Sequence, residues 1–277
     1  MIIDAHFHCW QLARGDYGWL KPEMVPLYRD VRVVDWQAQA SAFGVRGGVL
    51  VQAAPTEAET HFLLDQAEAS AAVLGVVGWI DLSASGAPDR VRALALRRHL
   101  RGLRPMLHDI ADKRWILQPA LAPALEAMVE TGLVLDALVR PAHLPHLLTL
   151  AGRHPGLQIV IDHAAKPNIA GQEWQPWAHW IARMASETTA VCKLSGILTE
   201  AAYPPTRHAV RPWAQHVLTC FGPGRVIWGS DWPVLELAAT YACWWNETQD
   251  LLRALPAENR SAVMGRNAER VYGLGEE

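Results

Sequence analysis

Met1-Ile2-Ile3-Asp4-Ala5-His6-Phe7-His8 is an apolar run that ends in a His-x-His pair. Residues i and i+2 of a strand point to the same face. His6 and His8 therefore aim two imidazoles at one spot, a pairing suited to a divalent ion or a polarised water. Three later runs end on similar chemistry. Leu157–His163 ends on a histidine and is followed by Lys166-Pro167. Arg225-Val226-Ile227-Trp228-Gly229-Ser230-Asp231-Trp232-Pro233 is a short strand closing on an aspartate. Leu100-Arg101-Gly102-Leu103-Arg104-Pro105 is a shorter, more polar run ending on an arginine. Polar groups gathered at the carboxyl ends of different strands are how a (β/α)8 barrel builds a site.

The elements that must position these groups are legible as alternation. Strands are expected at Ile2–His8, Gly47–Gln52, Val73–Ile80, Leu100–Met106, Leu133–Leu138, Leu157–His163, Ala190–Leu194 and Val226–Gly229. Most are continuous apolar runs, as parallel strands buried on both faces should be. Helical patterns lie between and after them, at Val34–Phe43, Glu57–Ala72, Ala87–His99, Ala120–Thr131, Ala142–Arg153, Trp174–Ser186, Arg211–Phe221 and Tyr241–Leu255. Gly44, Gly132 and Gly222 follow helical stretches in C-cap positions. Eight strands alternating with eight helices predict an α/β chain folded as one (β/α)8 TIM barrel over residues 1–277. No Gly-x-Gly-x-x-Gly follows the first strand, which weighs against a doubly wound dinucleotide-binding sheet. Two long insertions, Gln11–Asp30 and Gly196–Val210, read as binding loops or lids.

Composition narrows the class. A hydrophobic share of 51% with 19% charged residues fits a compact enzyme rather than a disordered chain. The net charge of -3 argues against a nucleic-acid surface. No apolar run is long enough to cross a bilayer, and the N-terminus has no signal-peptide pattern. Cys9, Cys192, Cys220 and Cys243 show no Cys-x-x-Cys spacing, so reduced thiols and a cytoplasmic location are expected.

Arg104 could present a forked, always-charged donor to a carbonyl or hydroxyls. Lys166, just past His163, and His108, just past the fourth strand, could also touch substrate. Trp10, Trp79 and Trp232 lie at or beyond strand ends, where one of them could wall a pocket for a ring-shaped ligand.

Taken together, Asp4-Ala5-His6-Phe7-His8, Asp162-His163-Ala164-Ala165-Lys166-Pro167, Lys193-Leu194-Ser195-Gly196 and Gly229-Ser230-Asp231-Trp232-Pro233 resemble the amidohydrolase superfamily. Within it they resemble the amidohydrolase-2 group that includes sugar lactonases of the L-fuconolactonase-like and L-rhamnono-lactonase-like kinds. The matching segments run from the first strand to the last. The resemblance implies that His6 and His8 are a metal-binding pair, with Asp231 as the third candidate ligand. It implies further that His163 stands near the reacting carbonyl and that Asp231 takes a proton from the attacking water. The fourth strand offers no lysine to bridge two ions and the fifth no histidine. At most one divalent ion, zinc, is therefore expected, and not as a strict requirement. The implied reaction is hydrolysis of a sugar-acid lactone. A zinc-dependent decarboxylase or amide hydrolase on the same barrel is the enzymatic alternative, and a sugar-acid or metal-binding protein without catalysis is the other.

Overall fold

The computed structural model describes residues 1–206 and 208–275; Arg207, in the second insertion, lies outside them. Strands β1 (Ile2–Phe7), β2 (Val45–Val51), β3 (Val73–Gly78), β4 (Leu100–Leu103), β5 (Val134–Ala137), β6 (Ile159–Ile161), β7 (Val191–Leu194) and β8 (Val226–Trp228) form one parallel sheet in sequence order. Helices α1 (Val33–Ala40), α2 (Glu57–Ala69), α3 (Ala87–Ala95), α4 (Ala122–Thr131), α5 (Leu144–Arg153), α6 (Trp177–Glu187), α7 (Arg211–Phe221) and α8 (Tyr241–Leu252) surround it. The predicted alternation is thus the observed one, with strands shorter than expected at their carboxyl ends.

The reason is visible in α6. Trp177, Ala178, Ile181, Met184 and Ala185 recur at helical spacing and are its buried stripe. In α2, Thr56 accepts the Glu59 N–H at the N-cap (3.1 Å), and Glu57 and Glu59 supply negative charge to the first turn. Beyond the eighth helix, three elements were not read from the sequence. A helix α9 (Ala257–Ser261), a π-turn (Ala262–Arg266) and a helix α10 (Asn267–Tyr272) fold back across the amino-terminal end of the barrel. Each segment is too short to show a helical period.

The barrel interior is layered. Ile3, Ala5, Val49, Val77, Val134 and Ile227 belong to an apolar cluster that Ala268 and Tyr272 of α10 close from below. Two residues further along β5 and β7, and at the end of β6, the same inward face carries Asp136, Lys193 and Asp162, all fully buried. The active face is therefore built on a charged floor.

Candidate active site

The seam between β8 and β1 is closed by the very residues that matter. Asp231 N–H donates to the His6 carbonyl (2.8 Å), and His8 N–H donates to the Trp232 carbonyl (2.8 Å). Along β1, the span from Asp4 to Phe7 faces only Gly48 to Leu50 of β2, which leaves one extra residue. Such a bulge re-aims side chains. Ala5 stays in the interior layer, Phe7 turns out to stack on Trp36 (4.0 Å between rings), and His6 faces the mouth of the barrel. Asp4 locks the seam from behind, accepting from Ser230 N–H (2.7 Å), Trp36 Nε1 (2.9 Å) and the Tyr241 hydroxyl (3.1 Å).

Asp231 Oδ1 consequently lies 3.3 Å from His8 Nε2, 3.6 Å from His6 Nε2 and 3.9 Å from His163 Nε2. Burial alone would push this carboxyl up, but its electrostatic interaction with His163, the hydrogen bond from His8 and the interaction with His6 outweigh it. The group is held well below the usual carboxylate range. His163 is brought down to about 4, chiefly by burial and against the pull of Asp231 and Asp162, so it is neutral at pH 7. Burial and the neighbouring Lys193 also push His6 down.

His6 is anchored in the charged floor. Its Nδ1 lies 3.3 Å from Lys193 Nζ and 3.6 Å from Asp162 Oδ1. Lys193 is shared between Asp136 (2.6 Å) and Asp162 (2.9 Å), and the Tyr272 hydroxyl donates to Asp136 (2.9 Å). Burial raises Asp136 to about 6 despite the lysine; Asp162 is also penalised by burial, but Lys193 and His6 hold it well below the usual carboxylate range. Arg104 completes the ring. It donates to the Gln52 side chain (2.9 Å) and backbone carbonyl, to Asp162 (3.3 Å) and toward His6 Nε2 (3.3 Å).

His163 stands on an unusual backbone. His163, Ala164, Ala165 and Lys166 follow one another at φ 52°, 51°, 63° and 48°. Each non-glycine residue in this left-handed region costs of order 1–2 kcal/mol, so surrounding contacts must hold the turn. Trp177 of α6, fully buried, donates its indole N–H to the Ala164 carbonyl (2.7 Å), and Lys166 N–H donates back to the His163 carbonyl (2.8 Å). The Ser195 hydroxyl lies 2.9 Å from His163 Nδ1 and fixes the ring. Gly196 lets ring and carboxylate meet. At φ +59°, a Cβ there would stand 2.7 Å from His163 Cγ and 2.9 Å from Asp231 Oδ2. Gly196→Ala is therefore expected to lower kcat roughly ten- to hundredfold while the protein stays folded, read by steady-state kinetics beside circular dichroism. Unchanged kcat would show that His163 and Asp231 can shift without penalty.

Above these groups opens a cleft of about 240 Å³ lined by His8, Trp19, Ala53, Arg104, Met106, His108, Asp109, Leu138, His163, Lys166, Asp231 and Val234. His6 lies buried just beneath. Of the sequence candidates, His8, Arg104, His108, His163, Lys166 and Asp231 thus share one cleft. The aromatic wall is a correction. Trp10 and Trp232 are buried and spend their indole N–H on the Arg29 carbonyl (2.8 Å) and on Glu236 (2.8 Å). Trp79 lines a neighbouring recess with Trp115. The wall is Trp19, from the first insertion, pinned by donation to the Ala53 carbonyl (2.7 Å). Glu59, which burial raises to about 7, accepts both the Ala53 and Ala54 N–H groups and so holds that same loop.

The donor set can be tested for a metal. His6 Nε2, His8 Nε2 and Asp231 Oδ1 are 3.2, 3.3 and 3.6 Å apart. Ligands about 2.0–2.1 Å from a tetrahedral zinc stand about 3.3–3.4 Å from one another, so this triangle fits one ion. His8 Nδ1 lies 2.8 Å from the Val51 carbonyl, a contact that in the Nδ1–H tautomer would turn the Nε2 lone pair toward the triangle. Among the described residues, His6, His163 and Asp231 also cluster closely enough to ligate one ion, so His163 is an alternative to His8 as the third ligand.

Comparison with known proteins covers nearly the whole chain. A family model described as amidohydrolase matches residues 3–274. An L-fucono-1,5-lactonase of Burkholderia ambifaria is 44% identical, over 98% of this chain and 95% of that protein. An L-fucono-1,5-lactonase of Burkholderia multivorans is 35% identical, over 99% and 96%. The crystal structure of a Burkholderia multivorans amidohydrolase with bound zinc superposes with a TM-score of 0.93 at 33% identity, covering 99% of this chain and 100% of that one.

Proposed function

The chain belongs to the amidohydrolase family, and from that membership and the geometry of its cleft we propose that it hydrolyses a neutral sugar-acid lactone, L-fucono-1,5-lactone or a related aldono-1,4- or 1,5-lactone. The observation that carries this reading is Asp231 Oδ1, set within 3.3–3.9 Å of three imidazoles at the floor of the cleft. A carboxylate so placed can accept a proton from water and aim that water at a carbonyl.

Water adds to the lactone carbonyl carbon as Asp231 takes its proton. With the Ser195 hydroxyl donating to Nδ1, His163 presents Nε2–H to the developing oxyanion, and Arg104 adds fixed positive charge. The tetrahedral adduct then collapses. The acyl–oxygen bond breaks, Asp231 returns the proton to the departing ring oxygen, and the open aldonic acid leaves, losing its carboxyl proton to solvent as the aldonate. Trp19 gives the ring an apolar face, while His108 and Lys166 offer polar contacts at the rim. The four cysteines are all free, which supports a reducing, cytoplasmic setting. The test is acid release across a panel of aldonolactones. Carbon dioxide release from aromatic acids instead would indicate a decarboxylase, and binding with neither would indicate a non-catalytic barrel.

His6, His8 and Asp231 would hold a divalent ion, which when bound would supply Lewis acidity at the carbonyl. Arg104 Nη1 already lies 3.3 Å from His6 Nε2 and competes for one of the three lone pairs. Protein stripped by a chelator, its metal content verified, is therefore expected to retain most of its lactone turnover. Complete loss, restored by one equivalent of zinc, would make the ion obligatory.

A further inference from the structure

We propose that Glu200 sets the charge selectivity of the cleft: by neutralising the Lys166 ammonium it lets the pocket take uncharged polyol lactones and disfavours anions, including the aldonate that ring opening releases. The proposal rests on the lactonase reading above and deepens it.

Lys166 ends the left-handed turn after β6, and its side chain lines the cleft. Glu200 ends a short 3-10 turn (Leu198–Glu200) after β7. Its Oε1 pairs with Lys166 Nζ, and its Oε2 lies 3.8 Å from Arg140 Nη1. The Glu200 carbonyl also accepts from Ala170 N–H (2.9 Å), which ties the turn to the segment that follows Lys166. The two side chains are 15% and 14% exposed, so the pair is largely withdrawn from solvent and keeps much of its Coulomb interaction.

The rest of the wall follows the same rule. Arg104 is matched by Asp162, and Asp231 and Asp109 add further negative charge. Among the described residues, the two permanent cations lining the cleft, Arg104 and Lys166, each face a carboxylate, Asp162 being shared with Lys193 and Glu200 with Arg140. A lactone is neutral, and its hydroxyls need donors and acceptors, which an ion pair supplies together. The product carries a new carboxylate at the carbon that water attacked, beside Asp231. With each lining cation already facing a carboxylate, that anion is held weakly and turnover is little slowed by product.

The experiment uses L-fuconate as the probe anion. Glu200→Gln keeps shape and one acceptor but removes the charge. L-fuconate should bind and inhibit about three- to tenfold more tightly, a gain that shrinks with added salt, and Glu200→Asp should restore wild-type inhibition. Lys166→Met should act in the other direction, weakening lactone binding without strengthening fuconate. Direct calorimetric binding of fuconate to wild type and both variants reads the same quantity without turnover. If fuconate affinity is unchanged in folded Glu200→Gln while lactones are opened, the charge-selectivity proposal is overturned and the lactonase reading stands. If no lactone is opened by the wild type, the lactonase reading fails, and the calorimetric comparison still decides whether Glu200 excludes anions.

Discussion

Asp231→Asn is expected to lower kcat on the best lactone roughly 10²- to 10⁴-fold, with little change in KM and an intact fold. The substitution suits the position. Asp231 sits at φ +60°, a conformation that asparagine tolerates better than most residues. Its seam bond to His6 is made by the backbone N–H, which asparagine keeps. Side-chain volume and one acceptor oxygen also survive, so what is lost is the capacity to take a proton and the charge that neighbouring imidazoles stabilise. An alanine variant would be a poorer experiment, because it adds backbone strain and a hole. The measurement is steady-state kinetics with circular dichroism on the same preparation. Near-normal turnover would show that another group receives the proton, and His8, 3.3 Å away, would be the first to examine.

What could be read in advance, and what could not, follows from the physics of each element. A strand buried on both faces must be a continuous apolar run, so β1 to β8 were each visible within a few residues of their true limits. The convergence of His6, His8, His163 and Asp231 followed, because parallel strands in one barrel end on one rim. Which tryptophan walls the cleft was not legible. A tryptophan beside a strand end can point outward as easily as inward, as Trp10 and Trp232 do, and the one that lines the pocket sits in an insertion with no period. Asp136 and Lys193 carried a signal: a charge inside an otherwise apolar strand must have a buried partner. Periodicity reports burial but not which charges meet, and the Asp136–Lys193–Asp162 cluster joins residues from three strands. Glu200 had no local mark at all, since its role exists only through Lys166.

Lys193→Met is expected to destabilise the protein by roughly 3–5 kcal/mol, lowering Tm on the order of 10 °C for a chain of this size. The ammonium is fully buried and stands between two carboxylates, 2.6 Å from Asp136 and 2.9 Å from Asp162. Methionine fills much of the space but leaves two like charges facing each other in the barrel interior, with Arg104 beside only one of them. Removing one member of a buried cluster strands the others, whereas removing opposite charges together does not. Lys193→Met combined with Asp136→Asn should therefore recover a large part of the loss. The pH dependence has a definite sign. In the wild type, Asp162 is held below its ordinary value, so its contribution is present at neutral pH and fades as pH falls through the folded-state pKa. In Lys193→Met, Asp136, already raised to about 6 in the wild type, would rise further and Asp162 would rise above its unfolded value, so the variant would be least handicapped in acid and would lose stability as pH rises through the raised pKa values. The deficit between the two proteins should accordingly narrow from pH 7 toward pH 5. Thermal unfolding of wild type, single and double variants across that range measures it, and a single variant as stable as wild type at pH 7 would mean that the lysine does not hold the charged floor together.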